Sequence, residues 1–186
     1  MGPFAERALR ELSQIDHAVY EAIAATPTPT LDEPFRRLSN AANRSLLWVG
    51  IAATLALLGG RRGRRSAVAG LASIGVSSAI VNLGLKSVWV RDRPDRAGAG
   101  VVAGRQVQMP SSTSFPSGHS ASAFAFATAV GRSLPWLALP LRLLAALVAY
   151  SRVHTGVHYP GDAVVGSLVG GATGLVVGGA IDGARH

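Results

Sequence analysis

The chain has 186 residues, enough for one domain with a buried core, no cysteine, and a formal net charge of +8. The missing thiols exclude disulfides and thiolate metal sites. In a soluble protein such a charge would point to nucleic acid. Here, however, 48% of the residues are hydrophobic and the only acidic ones between Leu46 and Ile181 are Asp92, Asp95 and Asp162, so lipid is the expected partner and nucleic acid is not.

Residues 1–45 lack the compact apolar core of a secretory signal peptide. Instead Phe4, Ala8, Leu12, Ile15, Val19 and Ile23 recur at helical spacing with charges between them. They predict an amphipathic helix within residues 1–30 that lies on a bilayer or packs on a bundle. TPTPT at 26–30 ends it as a turn or short link.

Five apolar runs follow, at 46–60, 66–90, 120–131, 137–150 and 163–181. At ~1.5 Å per residue only the second and last comfortably cross a ~30 Å hydrocarbon core, so the others must borrow flanking residues or be buried among their neighbours. Arg142 in the fourth run must snorkel or face protein. RRGRR at 61–65 reads as a basic turn that signals topology. Trp48, Trp89 and Trp136 each fall near a span end, where interface anchoring is expected. GAGVVAG at 98–104 has the glycines of a dinucleotide loop but no βαβ setting, and neither a P-loop nor a G-x-S-x-G elbow occurs. In the last run Gly166, Gly170, Gly174 and Gly178 form a smooth stripe, which suits close helix packing or merely fills an Ala/Gly-rich chain.

Three polar clusters do not fit lipid: KSVWVRDRP at 86–94, FPSGHS at 115–120 and SRVHTGVHYPGD at 151–162. If the chain leaves the membrane after 66–90, its next two spans go in and return, so all three clusters meet at one surface. They would bring together Lys86, Arg93 and Arg152, the Ser117 hydroxyl, His119 and His158, and Asp162. That set suits a phosphate. Arginine forks bind its oxygens in pairs, and free N–H groups at Ser117 and Gly118, just before an apolar helix, favour an anion. Lys86 is the single lysine among eighteen basic residues. A neutral His158 held by Asp162 can attack phosphorus, while His119 protonates the leaving oxygen and then activates water.

At these residues the sequence resembles the type 2 phosphatidic acid phosphatase (PAP2) superfamily, the membrane lipid phosphatases related to vanadium haloperoxidases. K-x6-R-P spans Lys86 to Pro94, P-S-G-H spans Pro116 to His119, and S-R-x5-H-x3-D spans Ser151 to Asp162. The resemblance implies an all-α, polytopic bundle of about five spans plus the N-terminal helix, with a core over about 45–181 in one domain. It implies phosphate binding by Lys86, Arg93, Ser117, Gly118 and Arg152, a general acid at His119, a nucleophile at His158 and its orienting partner at Asp162, with no metal or other cofactor. Many members have six spans, and many carry an aromatic residue where His154 stands, for which a structural or substrate-facing role is expected. Rival readings are a vanadate-holding haloperoxidase, a zinc site built on His154 and His158, and a lipid-binding protein without turnover.

The implied substrates are lipid phosphates: phosphatidic acid, phosphatidylglycerol phosphate, or polyprenyl phosphates and diphosphates. Residues 95–115 are expected to cap the pocket. An integral protein of a bacterial-type cytoplasmic membrane is expected, and RRGRR placed in the cytoplasm puts the site outside, although Arg7, Arg10, Arg36, Arg37 and Arg44 pull the other way.

Overall fold

The structure is a computed structural model and describes residues 2–184. Eight α-helices follow in order: α1 (Pro3–Ala25), α2 (Pro29–Ala41), α3 (Leu46–Leu58), α4 (Gly60–Ala79), α5 (Lys86–Val88), α6 (Gly118–Ser133), α7 (Pro135–His154) and α8 (Pro160–Gly183). A π-helical turn, Ile80–Leu85, joins α4 to α5, so that Gly60–Val88 is one 29-residue helical rod. Among the described residues there is no strand.

The glycine stripe explains how the bundle closes. A Cβ at Gly170 would lie 2.0 Å from the Ala121 carbonyl oxygen, and one at Gly166 or Gly174 would lie 2.4 or 2.5 Å from the carbonyl oxygens of Ser117 or Ala125. α8 therefore packs backbone to backbone on α6, which is the use of small residues expected between helices in lipid. The stripe also brings the start of α8 against the start of α6, where Ser117 N donates to Asp162 O at 2.9 Å.

α6 is the central element, with twelve of its sixteen residues buried. Phe126 meets Trp48 of α3 at 5.3 Å between ring centroids. Trp48 is thus part of the core and not an interface anchor, whereas Trp89 and Trp136 are exposed near span ends. Burial inside the bundle also accounts for the short α6. Three helices, Gly60–Val88, Pro135–His154 and Pro160–Gly183, are long and apolar enough to cross a membrane, and a fourth span results if the pair Pro29–Ala41 and Asn43–Leu58, bent by 63°, counts as one. The expected five crossings are thus approximate. Arg142 is exposed on α7, so it must snorkel. The chain turns into α4 at Gly59 and Gly60, the latter at φ +59°, and RRGRR is helical, not a turn.

α1 divides its surface three ways. Arg7 pairs with Glu11 on one exposed face. Tyr20 and Ala24 are buried against the bundle, and Phe4, Leu12, Ile15 and Val19 form an apolar face left uncovered. The link to α2 is held by Arg105 on the 95–115 loop, whose guanidinium donates to the carbonyls of Ile23, Ala24 and Thr26, the Thr28 hydroxyl and Asp32. One buried cation thus satisfies carbonyls that the end of α1 leaves open.

Candidate active site

The rod Gly60–Val88 ends, α6 begins, α7 ends and α8 begins at the same side of the bundle, so the three polar clusters meet there. A cleft of about 260 Å³ opens between them, lined by Lys86, Arg93, Gly118, His119 and His158 together with Asn82, Arg44 and Ser112. The π turn sits immediately before Lys86, where the rod reaches the cleft. Lys86 Nζ donates to Ser112 Oγ at 2.9 Å. Arg93 Nε donates to Ser112 O at 2.9 Å, and its Nη1 to Val157 O at 2.6 Å and to His158 Nε2 at 3.3 Å. Burial pushes the Arg93 guanidinium below the usual arginine range, with Asp162 opposing that shift.

The Arg93 contact assigns the His158 tautomer. A guanidinium can only donate, so Nε2 presents its lone pair and the proton resides on Nδ1. Nδ1 lies 3.4 Å from Asp162 Oδ2. Burial drives His158 down from 6.5 to about 4, against the opposing pull of Asp162 and with Arg93 and Arg152 adding to the fall. The ring is therefore neutral near pH 7, with its lone pair toward the cations that line the cleft.

Asp162 is fully buried, a costly place for a carboxylate unless every oxygen is bonded. Its Oδ2 accepts from the Ser114 hydroxyl and, at 2.9 Å, from Tyr159 N. Its Oδ1 accepts from Arg91 Nη1 at 2.9 Å. Proline at the first position of α8 and Asp162 in its first turn make the carboxylate part of the helix start, so its position follows from local backbone geometry.

Other residues expected at the site take different positions. Ser117 is buried and caps α6, its Oγ accepting from Ser120 N at 3.4 Å and from Ser120 Oγ at 3.0 Å, so the hydroxyl does not line the cleft. Arg152 lies behind the cleft wall, with Nη1 on Ser39 Oγ at 2.5 Å, while its Nε is buried without a partner. His119 Nε2 lies 3.0 Å from Asn43 Oδ1. Asn43 sits in a 3₁₀ turn whose other residues, Arg44 and Ser45, hold φ of 52° and 59°, a left-handed pair that side chains rarely adopt. Pro110 and Ser112 bring the 95–115 loop to the rim. His154 and His158 do not face a common point. His154 Nε2 bonds Asp32 at 3.0 Å and its ring stacks near Phe35 and Tyr150, in a cluster with Arg105.

Four residues of the site were not anticipated: Arg91, Ser114, Asn43 and Ser39. Arg91 could have been noticed as an extra arginine inside the K-x6-R-P stretch. Ser114 stands in a run of similar residues, and nothing local distinguishes Asn43 or Ser39.

The PAP2 superfamily matches residues 66–181. Decaprenylphosphoryl-5-phosphoribose phosphatase of Mycobacterium tuberculosis is 36% identical over 173 residues, which cover 93% of this chain and 92% of the relative. Among solved structures, the transmembrane PAP2 type phosphatidylglycerolphosphate phosphatase of Bacillus subtilis superposes with a TM-score of 0.73 at 25% identity, covering 95% of this chain and 88% of its own. LpxE of Aquifex aeolicus superposes with a TM-score of 0.62 at 25% identity, covering 86% and 92%. The chain is an integral membrane protein whose homologues are lipid phosphatases, and it belongs to the PAP2 superfamily.

Proposed function

We propose that this protein hydrolyses a lipid-linked phosphate through a phosphohistidine on His158. The observation that carries the proposal is the arrangement of that ring: Nδ1 faces the buried Asp162 carboxylate and Nε2 faces a cleft lined by Lys86, Arg93 and His119. A phosphate entering the cleft takes over the hydrogens of Arg93 and frees the Nε2 lone pair. The Nε2–P bond forms as the P–O bond to the lipid breaks, and the leaving oxygen takes a proton from His119, which the negative charge of the entering phosphate brings to the imidazolium form and which the transfer leaves as the neutral ring. His119 then accepts a proton from water, the oxygen of which attacks phosphorus and releases inorganic phosphate. Lys86 and Arg93 meet the charge on the equatorial oxygens. Arg152 fixes the cleft wall from behind, Ser117 caps the helix that carries His119, and Gly118 keeps its backbone open to the anion.

The cleft is polar, and Asn82, Ser45, Ser78 and Ser122 add hydroxyl and amide groups beside the cations. It fits a phosphate on a hydroxylated head group while the lipid tail stays in the bilayer. With the M. tuberculosis relative in view, a polyprenyl-phosphoryl pentose 5-phosphate is the leading substrate. Phosphate release should be measured across that compound, phosphatidic acid, phosphatidylglycerol phosphate and a polyprenyl diphosphate. The prenyl pentose phosphate is expected to have the highest kcat/KM, with a chelator making no difference. His158→Ala should leave a folded protein with less than about one thousandth of the turnover; full turnover in that variant overturns the mechanism.

The cleft opens on the extracytoplasmic face in this proposal, because the exposed Arg61, Arg62, Arg64 and Arg65 lie at the opposite end of the same rod. A cysteine at Ala97, exposed on the 95–115 loop, should react with an impermeant maleimide in intact cells. Protection until the cells are opened would reverse the orientation.

A further inference from the structure

The residues that hold Asp162 extend beyond the segment the family covers. Asp16, in the N-terminal helix α1, lies outside the matched residues 66–181. Its Oδ2 is 2.8 Å from Arg91 Nη1, the same nitrogen that bonds Asp162 Oδ1 at 2.9 Å. Its Oδ1 accepts from Gly161 N at 2.6 Å, the peptide nitrogen one residue before Asp162. The pair is shielded from water: the side chains of Asp16, Arg91 and Asp162 are 12%, 25% and 0% exposed.

The surroundings lock this arrangement. The Arg91 guanidinium carbon sits 4.1 Å over the Tyr159 ring. That ring is flanked by His17 at 4.5 Å and Tyr20 at 5.3 Å, both from α1. Tyr159 N in turn donates to Asp162 Oδ2. Gly161 permits the approach, since a Cβ there would stand 3.0 Å from Asp16 Oδ2. The charge on Asp16 has no basic residue three or four positions away on its own helix, where Leu12, Ser13, Val19 and Tyr20 stand. Its partners are all across the interface.

We propose that Asp16 is a positioning residue for the His158–Asp162 pair, so that α1 completes the active site from outside the family core. Asp16 anchors Arg91 and caps the first turn of α8, and through both it sets the rotation of the Asp162 carboxylate that faces His158 Nδ1. It touches no residue that lines the cleft, so its removal is expected to act on the chemical step and not on substrate binding. The proposal rests on the assignment of His158 and Asp162 given above.

The test uses the full chain in detergent micelles, with Asp16→Asn, Asp16→Ala and, as a control on the same helix, Glu11→Gln. Asp16→Ala should lower kcat by about tenfold or more with KM within about twofold, and Asp16→Asn, which keeps an acceptor for Gly161 N but loses the charge, should fall between it and the parent. In an Asp162→Asn background the Asp16→Asn change should have no further effect, since it acts through that carboxylate. Glu11→Gln should match the parent. Parental kcat in both Asp16 variants overturns the proposal, as does a loss in the Asp162→Asn background equal to that in the parent, which would mark Asp16 as a general scaffold residue. Turnover by His158→Ala would instead overturn the mechanism on which the proposal rests, so the two failures are distinguishable.

Discussion

At the cleft end of the bundle, buried charges are held by several bonds each, Arg152 with its unpartnered Nε being the exception, whereas at the opposite end the arginines lie on the surface with little to fix them. Asp162 is bonded on both oxygens, Arg105 donates to five groups, and Arg91 is shared between two carboxylates and a ring. Arg61, Arg62, Arg64 and Arg65 are exposed, and Arg132, 3.9 Å from Asp182, is partly in solvent. The reason is solvation. A charge withdrawn from water must regain its lost hydration through specific partners, and those partners then fix its geometry, while an exposed charge keeps its hydration and gains little from any one neighbour. Positional accuracy for chemistry therefore accumulates at one end only, and the glycine-lined contact of α6 with α8 joins the two.

That contrast can be broken or sharpened in order of expected effect. The largest effect is expected between the ends: Gly170→Val forces a side chain into the Ala121 carbonyl and should destabilise the fold by about 3 kcal/mol or more, read as loss of monodisperse protein and a lower Tm in detergent. Gly75→Val in α4, where nothing lies within 4 Å of a new Cβ, should leave Tm unchanged, and equal losses would remove the packing explanation. The next concerns pH. His158 is held neutral by burial, with its folded value near 4 against 6.5, so the acid limb of kcat/KM, once the ionisation of the substrate phosphate is divided out, should fall near pH 4. Because the folded value is depressed, the unfolded chain takes up the proton first, and stability should decline as pH drops from about 6.5 toward 4. An enzyme limb at 6.5 would contradict the buried, neutral ring. The smallest effect belongs to the far end: replacing Arg61, Arg62, Arg64 and Arg65 by glutamine should leave kcat/KM of the solubilised protein within about twofold. In cells the same change should reduce maleimide labelling at position 97 by relaxing the orientation.

Much of the site was legible because its parts are encoded in short spacings. K-x6-R-P and P-S-G-H each lie at a helix end and S-R-x5-H-x3-D at the junction of two, and the apolar runs between them set which ends meet. The helix boundaries moved by a few residues, as with α6 extended to Gly118–Ser133 around the run at 120–131 and α3 ending at Leu58 within the run at 46–60. What escaped depends on chain-distant partners. Trp48 looked like an anchor at a span end until Phe126, distant in sequence, covered it. For His154 a structural or substrate-facing role was expected, and the partner that gives it a structural one, Asp32 of α2, is distant in the chain. Ser117 was expected to face the anion, and its use as a helix cap turns the hydroxyl away.

The sequence by itself determined the class of fold and the kind of chemistry, because hydrophobic run length and motif spacing act over a turn or a span and need no knowledge of neighbours. Only the tertiary structure decided which nitrogen of His158 is free, which residues stand behind Asp162, and that α1 reaches the catalytic carboxylate through Asp16 and Arg91. Those outcomes depend on single hydrogen bonds between segments distant in the chain, Arg93 with His158, Arg91 with Asp162 and Asp16 with Arg91, and no local pattern carries them.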